Sequence, residues 1–175
     1  EMLGIIPDLA TYAKAMAGGF PIAMIAGRRD VMDYIGNGTV YHGGSFNSNV
    51  MSIAAAYASL KYIQDGGAEF YRDLNEKGHR LMDGLRSVAK SQESDLHVQG
   101  LGSVFAISFT TKHEILNWRD HARNCDDEKY GRFAREMLKK GIRLASNGRT
   151  HLSSAHTNED IDETIAAVAA VLPTL

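Results

Sequence analysis

The chain has 175 residues, 44% of them hydrophobic and 23% charged, with a formal net charge of −2. This is ordinary for a soluble globular protein, and without a basic surplus nothing points to nucleic acid or an anionic membrane as partner. No apolar run reaches membrane-spanning length, no signal peptide is read, and the lone Cys125 leaves no disulfide framework, which fits a reducing cytoplasm.

Residues 2–6 are apolar and short, fitting a strand end. Residues 9–15 read as a buried strand or turn that carries Lys14, the only charge between Asp8 and Arg28. An ammonium is costly to desolvate, so a lysine held among apolar neighbours sheds its proton and becomes a nucleophile for carbonyls. The plainer reading is a lysine snorkelling to water. Gly18-Gly19 admits close approach to the backbone, and Pro21 fixes the exit. Residues 21–26 suit a buried strand, and residues 28–35 a helix with Val31, Met32 and Ile35 on one face.

Asn37-Gly38-Thr39 signals a turn, and a Gly, Ser and Asn-rich loop then runs to Asn49, a good N-cap. A helix over 50–64 is dense in alanine, so close burial against a sheet or another subunit is expected. Gly66-Gly67 breaks it, and a second, amphipathic helix spans 68–90. Residues 96–109 read as a strand pair or one bent strand, with Gly100-Leu101-Gly102 as a bulge or turn and Phe105, Ile107 and Phe109 sharing one face. A short helix is expected near 115–121, and a longer one over 128–140 with Tyr130, Phe133, Ala134, Met137 and Leu138 in a stripe and Gly141 as its cap. Short strands at 142–145 and 151–155 flank the Asn147-Gly148 turn, and Thr157 to Asp160 opens the last helix with a capping box. Alternating strands and helices argue an α/β architecture. Cys125 lies beside Asp126 and Asp127, which disfavour a thiolate, so it reads as incidental.

Two stretches carry more than structure. Pro7-Asp8, then Lys14, then Gly18-Gly19-Phe20-Pro21, is followed by His42-Gly43-Gly44-Ser45-Phe46-Asn47-Ser48-Asn49 before a helix. In that order they resemble the class III, fold-type I aminotransferases that use pyridoxal phosphate. The ending, from Leu152 to Asp162, is similar to the glutamate-1-semialdehyde 2,1-aminomutase branch. The likeness runs from about residue 7 to 171 and matches only the later portion of the family. The glycine-rich phosphate turn, the ring-stacking aromatic and the Asp that pairs with the pyridine nitrogen have no candidates here. On its own the chain is therefore expected to be an incomplete piece.

The resemblance implies the C-terminal part of a fold-type I transferase. Residues 1–80 would end the large cofactor-binding domain, with a mostly parallel sheet, and residues 81–175 would form a small α+β domain. Lys14 aligns with the lysine that forms a Schiff base with pyridoxal 5'-phosphate and shuttles the substrate proton. Ser45 stands where the family has a Thr that binds the cofactor phosphate across a homodimer interface, with Gly44 beside it. Arg149 falls where relatives contact substrate, and a guanidinium suits a carboxylate. His42 reads as structural rather than a base. No histidine has metal-ligand spacing, so no metal is expected. The implied activity is transfer of an amino group between an amino acid or amine and a keto acid or aldehyde. The alternatives are the aminomutase, more remotely a racemase or decarboxylase, and a non-catalytic dimer piece. Residues 147–150 lack the acidic, Gly-Phe-containing stretch of the aminomutase branch, which favours a related amino-acid aminotransferase.

Overall fold

The computed structural model describes residues 4–175, and the chain divides into two compact units that part between Gly67 and Ala68. That division falls before the 80/81 boundary read from sequence. Residues 4–6 join no strand, and residues 2 and 3 of the expected strand end lie outside the described residues.

In the N-terminal unit, β1 (Leu9–Tyr12) and β2 (Met24–Gly27) pair antiparallel, in register from Leu9 opposite Gly27 to Tyr12 opposite Met24. Two expectations are corrected here. The described strands form no parallel sheet, because the connection over 13–23 holds one 3-10 turn and is too short for a crossover helix. Neither strand is buried: Leu9, Tyr12, Met24 and Ile25 are substantially exposed. A two-stranded ribbon with neither face covered leaves its alternating side chains in solvent. Helix α1 (Arg29–Gly36) keeps Val31, Met32 and Ile35 half-buried, and Gly38 turns the chain at φ 80°.

Helix α2 (Val50–Ser91) starts where the Asn49 side chain accepts the Ser52 backbone N–H at 3.0 Å, satisfying a first-turn donor. It is broken at Gly67, whose φ 53° and ψ −142° only glycine adopts cheaply. Its first segment buries Ser52 and Ala56, whereas Ile53, Tyr57 and Leu60 are exposed. The all-round burial expected of this alanine-rich helix is not met within the unit.

The C-terminal unit holds the core. Strands β3 (Leu96–Leu101), β4 (Val104–Phe109) and β5 (Arg149–His151) form an antiparallel sheet in that order. Phe105, Ile107 and Phe109 of β4 are buried, as alternation requires. They share a core with Leu81, Met82 and Leu85 of α2, Phe133 and Met137 of α4 (Asp127–Lys139), and Ile161 and Val168 of α5 (Asn158–Val171). Each such burial is worth roughly 1.5–3 kcal/mol. Phe109 meets Phe133 edge-to-face with ring centroids 5.5 Å apart. Gly78 and Gly102 let α2 approach the β3–β4 turn, since a Cβ on Gly78 would overlap the Gly102 carbonyl.

Four local readings change. Residues 142–145 join no sheet. Instead the Ile142 N–H bonds the Met137 carbonyl at 3.0 Å around Gly141 (φ 84°), closing α4, and the Tyr130 hydroxyl donates to the Ala145 carbonyl at 2.7 Å. The strand expected at 151–155 ends at His151, because the next residues turn back where His156 Nδ1 accepts the Ser153 N–H at 3.0 Å. Leu138, placed on the α4 stripe, is exposed. Helix α3 (Trp118–Asn124) begins later than read, capped by Asn117, whose side chain accepts the Asp120 N–H at 3.1 Å. The α5 capping box is formed: the Thr157 hydroxyl accepts the Asp160 N–H at 3.1 Å, and Asp160 accepts the Thr157 N–H at 2.7 Å.

Candidate active site

Lys14 leaves β1 with φ 55°, the left-handed region that a side chain enters at a cost of about 1–2 kcal/mol. It opens the 3-10 turn Lys14–Ala17, whose Met16 and Ala17 are buried and whose end is set by Gly18 at φ 57°. Backbone bonds from Met16 to Ala13 and from Gly18 to Ala15, both 3.3 Å, hold the turn. The buried pair anchors the backbone, while the Lys14 residue itself is exposed. The apolar surroundings read for it from sequence are not supplied within this unit.

The second motif is a compact double turn. The Asn47 N–H donates to the Gly44 carbonyl at 3.0 Å and the Asn49 N–H to the Phe46 carbonyl at 3.1 Å. A Cβ on Gly43 would strike the Tyr41 hydroxyl, and one on Gly44 would press the Asn47 side-chain oxygen at 3.1 Å. The amides of Gly43, Gly44 and Ser45 and the Ser45 hydroxyl have no partner among the described residues. A run of exposed N–H groups without a protein partner, beside a hydroxyl, is chemistry suited to an anion.

A cleft of about 990 Å³ lies in the same unit, lined by Met16, Met24, His42, Gly43, Gly44 and Tyr57 among others. Lys14 and Ser45 stand outside its lining, which includes Met16, two residues after Lys14. Asp8 of the motif bonds Arg28 at 2.7 Å, and Arg28 also holds Asp30 at 2.6 Å, tying the end of the ribbon to the start of α1. All three side chains are well exposed, so these pairs add little stability.

In the C-terminal unit Arg149 sits on β5 opposite Ala106, not in the turn before it. Its N–H donates to the Asn147 side chain at 3.2 Å, and its guanidinium has no partner among the described residues. It lines one cleft of about 360 Å³ with Leu81 and His156, and another of about 540 Å³ with Gln99 and Trp118. Trp118 and His121 escaped the sequence reading because they fall in a polar stretch without periodicity; the only signal was the chain's single Trp. Cys125 is a free thiol whose burial, helped by Asp127 and Asp120, pushes it above its ordinary range. No group of three or more His, Cys, Asp or Glu among the described residues is placed to hold a metal ion.

Comparison with known proteins identifies the family. Residues 1–172 match the model of the class-III aminotransferases, and the chain belongs to that family. Glutamate-1-semialdehyde 2,1-aminomutase of Desulforapulum autotrophicum is 37% identical over 174 residues, which are 98% of this chain and 40% of the relative. The enzyme of that name from Methanobrevibacter smithii is 34% identical over 175 residues, 98% of this chain and 40% of its own length. A β-phenylalanine aminotransferase from Variovorax paradoxus superposes with a TM-score of 0.87 at 29% identity, over 99% of this chain and 40% of that one. A glutamate-1-semialdehyde aminomutase from Pseudomonas aeruginosa, solved with PMP, gives 0.83 at 19% identity over 98% and 40%, a likeness of fold alone. The fold is thus that of the fold-type I transferases, and the chain spans about 40% of the length of the relatives it matches.

Proposed function

We propose that the protein to which this chain belongs is a pyridoxal-phosphate-dependent aminotransferase. It moves an amino group between an amino acid or amine and a keto acid or aldehyde. The observation that carries this reading is Lys14, held at a strained φ of 55° by a turn whose next residues are buried, in the segment that matches the family. The donor set fits the cofactor: a primary amine for an aldehyde, and the unsatisfied amides and hydroxyl at Gly44 and Ser45 for a phosphate. When bound, pyridoxal phosphate supplies that aldehyde and a ring that withdraws electrons from the substrate's α-carbon.

Lys14 would hold the aldehyde through its amine and, when free, would move the proton at the substrate's α-carbon. Gly44 N–H and Ser45 N–H and O–H would hold the phosphate. Arg149 receives a substrate carboxylate. Ser45 serving a neighbouring copy implies a homodimer, a reading supported by the apolar surface around it: Tyr41 is 88% exposed, Phe46 78% and Val50 77%. A single free thiol fits a cytoplasmic setting, and among the described residues no helix is long and apolar enough to cross a membrane.

In the full-length protein, Lys14→Ala is expected to lower transamination by about 10³-fold or more with an unchanged circular dichroism spectrum. A wild-type rate would end the proposal. A second reading, the aminomutase, is favoured by the names of the relatives at 34% and 37% identity. Conversion of glutamate-1-semialdehyde with no added keto acid would select it. The 175-residue chain alone, at about 40% of its relatives' length, is expected to bind cofactor weakly and not to turn over.

A further inference from the structure

One side chain beside the Gly43–Ser45 turn has no part in the chemistry proposed for it. A Cβ built on Gly43 meets three atoms first, and all belong to Tyr41: the hydroxyl, then Cζ at 2.6 Å and Cε1 at 3.2 Å. The phenol is thus folded back over the turn, and its oxygen fills the space that any side chain on Gly43 would need. Gly43 does not have a positive φ, so its backbone does not call for glycine; the Tyr41 ring does. The hydroxyl has no partner among the described residues, and Tyr41 is 88% exposed. Neither a hydrogen bond within this unit nor burial accounts for the phenol's place. What it lies beside is the run of amides at Gly43, Gly44 and Ser45, which also lack protein partners.

We propose that the Tyr41 hydroxyl is a further donor to the anion held by this turn, which in the proposed reaction is the cofactor's phosphate. The inference rests on the reading of Gly44 and Ser45 as the phosphate holders. A phosphoryl group presents three strong acceptor oxygens, room for more donors than two amides and one hydroxyl supply. A phenolic O–H donating to an anionic oxygen makes a charge-assisted bond, about twice as strong as a neutral one. With the ring already laid on Gly43, little side-chain freedom is left to lose when the anion arrives. Tyr41 in this role touches the phosphate and not the reacting atoms, so its loss shows in affinity rather than in the proton transfer at Lys14.

The test compares pyridoxal phosphate with pyridoxal, which has the same aldehyde and ring but no phosphate. Each is titrated into full-length protein freed of cofactor, with binding followed by absorbance. Tyr41→Phe keeps the ring and removes only the hydroxyl. It is expected to weaken pyridoxal phosphate about tenfold and to leave pyridoxal unchanged, with the same sedimentation as wild type. Gly43→Ala pushes the phenol off the turn and should give the same loss. The two substitutions together should lose no more than either alone, since both remove one contact. Ser45→Ala separates this inference from the reading beneath it. If Ser45→Ala weakens pyridoxal phosphate selectively while Tyr41→Phe binds like wild type, the role of Tyr41 is overturned and the turn remains the phosphate holder. If neither substitution distinguishes the two ligands, the phosphate reading of the turn fails and the inference with it. Equal losses for both ligands in Tyr41→Phe, or additive losses in the double variant, would also overturn it.

Discussion

The Lys14 backbone shows what a residue contributes before any chemistry. At φ 55° a lysine forfeits about 1–2 kcal/mol relative to a glycine, which enters that region freely. Lys14→Gly is therefore expected to raise stability or leave it unchanged in denaturant titration, while removing the amine. A destabilisation above 1 kcal/mol would show that the side chain is anchored structurally. Asp160 gives a prediction in pH. The backbone N–H of Thr157, with its hydroxyl second, holds the Asp160 carboxylate below its ordinary range. A carboxylate depressed in the folded state adds stability above its unfolded value, lost as pH falls through the folded one. The α5 start should thus weaken below about pH 4, and Thr157→Ala should flatten that acid limb of the stability profile. An unchanged limb would contradict the assignment. The half-buried Cys125 thiol, raised by desolvation, should alkylate more slowly than a model thiol at neutral pH, and a faster rate would contradict that shift.

Among elements, α2 and the β3–β4 hairpin carry the sharpest demand. The helix approaches the turn so closely that only hydrogen fits on Gly78 against the Gly102 carbonyl, and Gly102 itself sits at φ 56°. Gly78→Ala is expected to cost about 1–3 kcal/mol in urea unfolding of the full-length protein, since the clash is with backbone that cannot swing aside. A cost below 0.5 kcal/mol would mean the packing is looser than described. Much of this was legible from sequence. Gly66-Gly67 as a break, Asn49 and Thr157 as caps, and the alternating Phe105, Ile107 and Phe109 follow from local chemistry, whereas the turn read at Gly100 to Gly102 falls at Gly102-Ser103, with Gly100 and Leu101 still paired in β3. The misreadings share one cause. Residues 9–12, 24–27 and 142–145 are apolar enough for buried strands, but burial requires a covering layer, and composition does not reveal whether one is present.

The whole molecule divides unevenly. The main hydrophobic core belongs to the C-terminal unit, whereas among the described residues of the other the buried ones are Met16, Ala17, Ser52 and Ala56. The motifs of the candidate active site lie on the unit with the smaller core, where they were plain in the sequence. Arg149 was also visible as a candidate, but Trp118 was not, since a lone aromatic in a short polar helix has no periodic apolar partner. Family membership follows from the match over residues 1–172. The role of the lysine is the proposal on which the functional reading turns.

The decisive measurement is chemical. Full-length protein incubated with pyridoxal phosphate is reduced with borohydride, digested, and mapped by mass spectrometry. One phosphopyridoxyl group is expected, on the peptide containing Lys14 and absent from Lys14→Ala. A label on another lysine, or none at a concentration that supports turnover, would contradict the assignment.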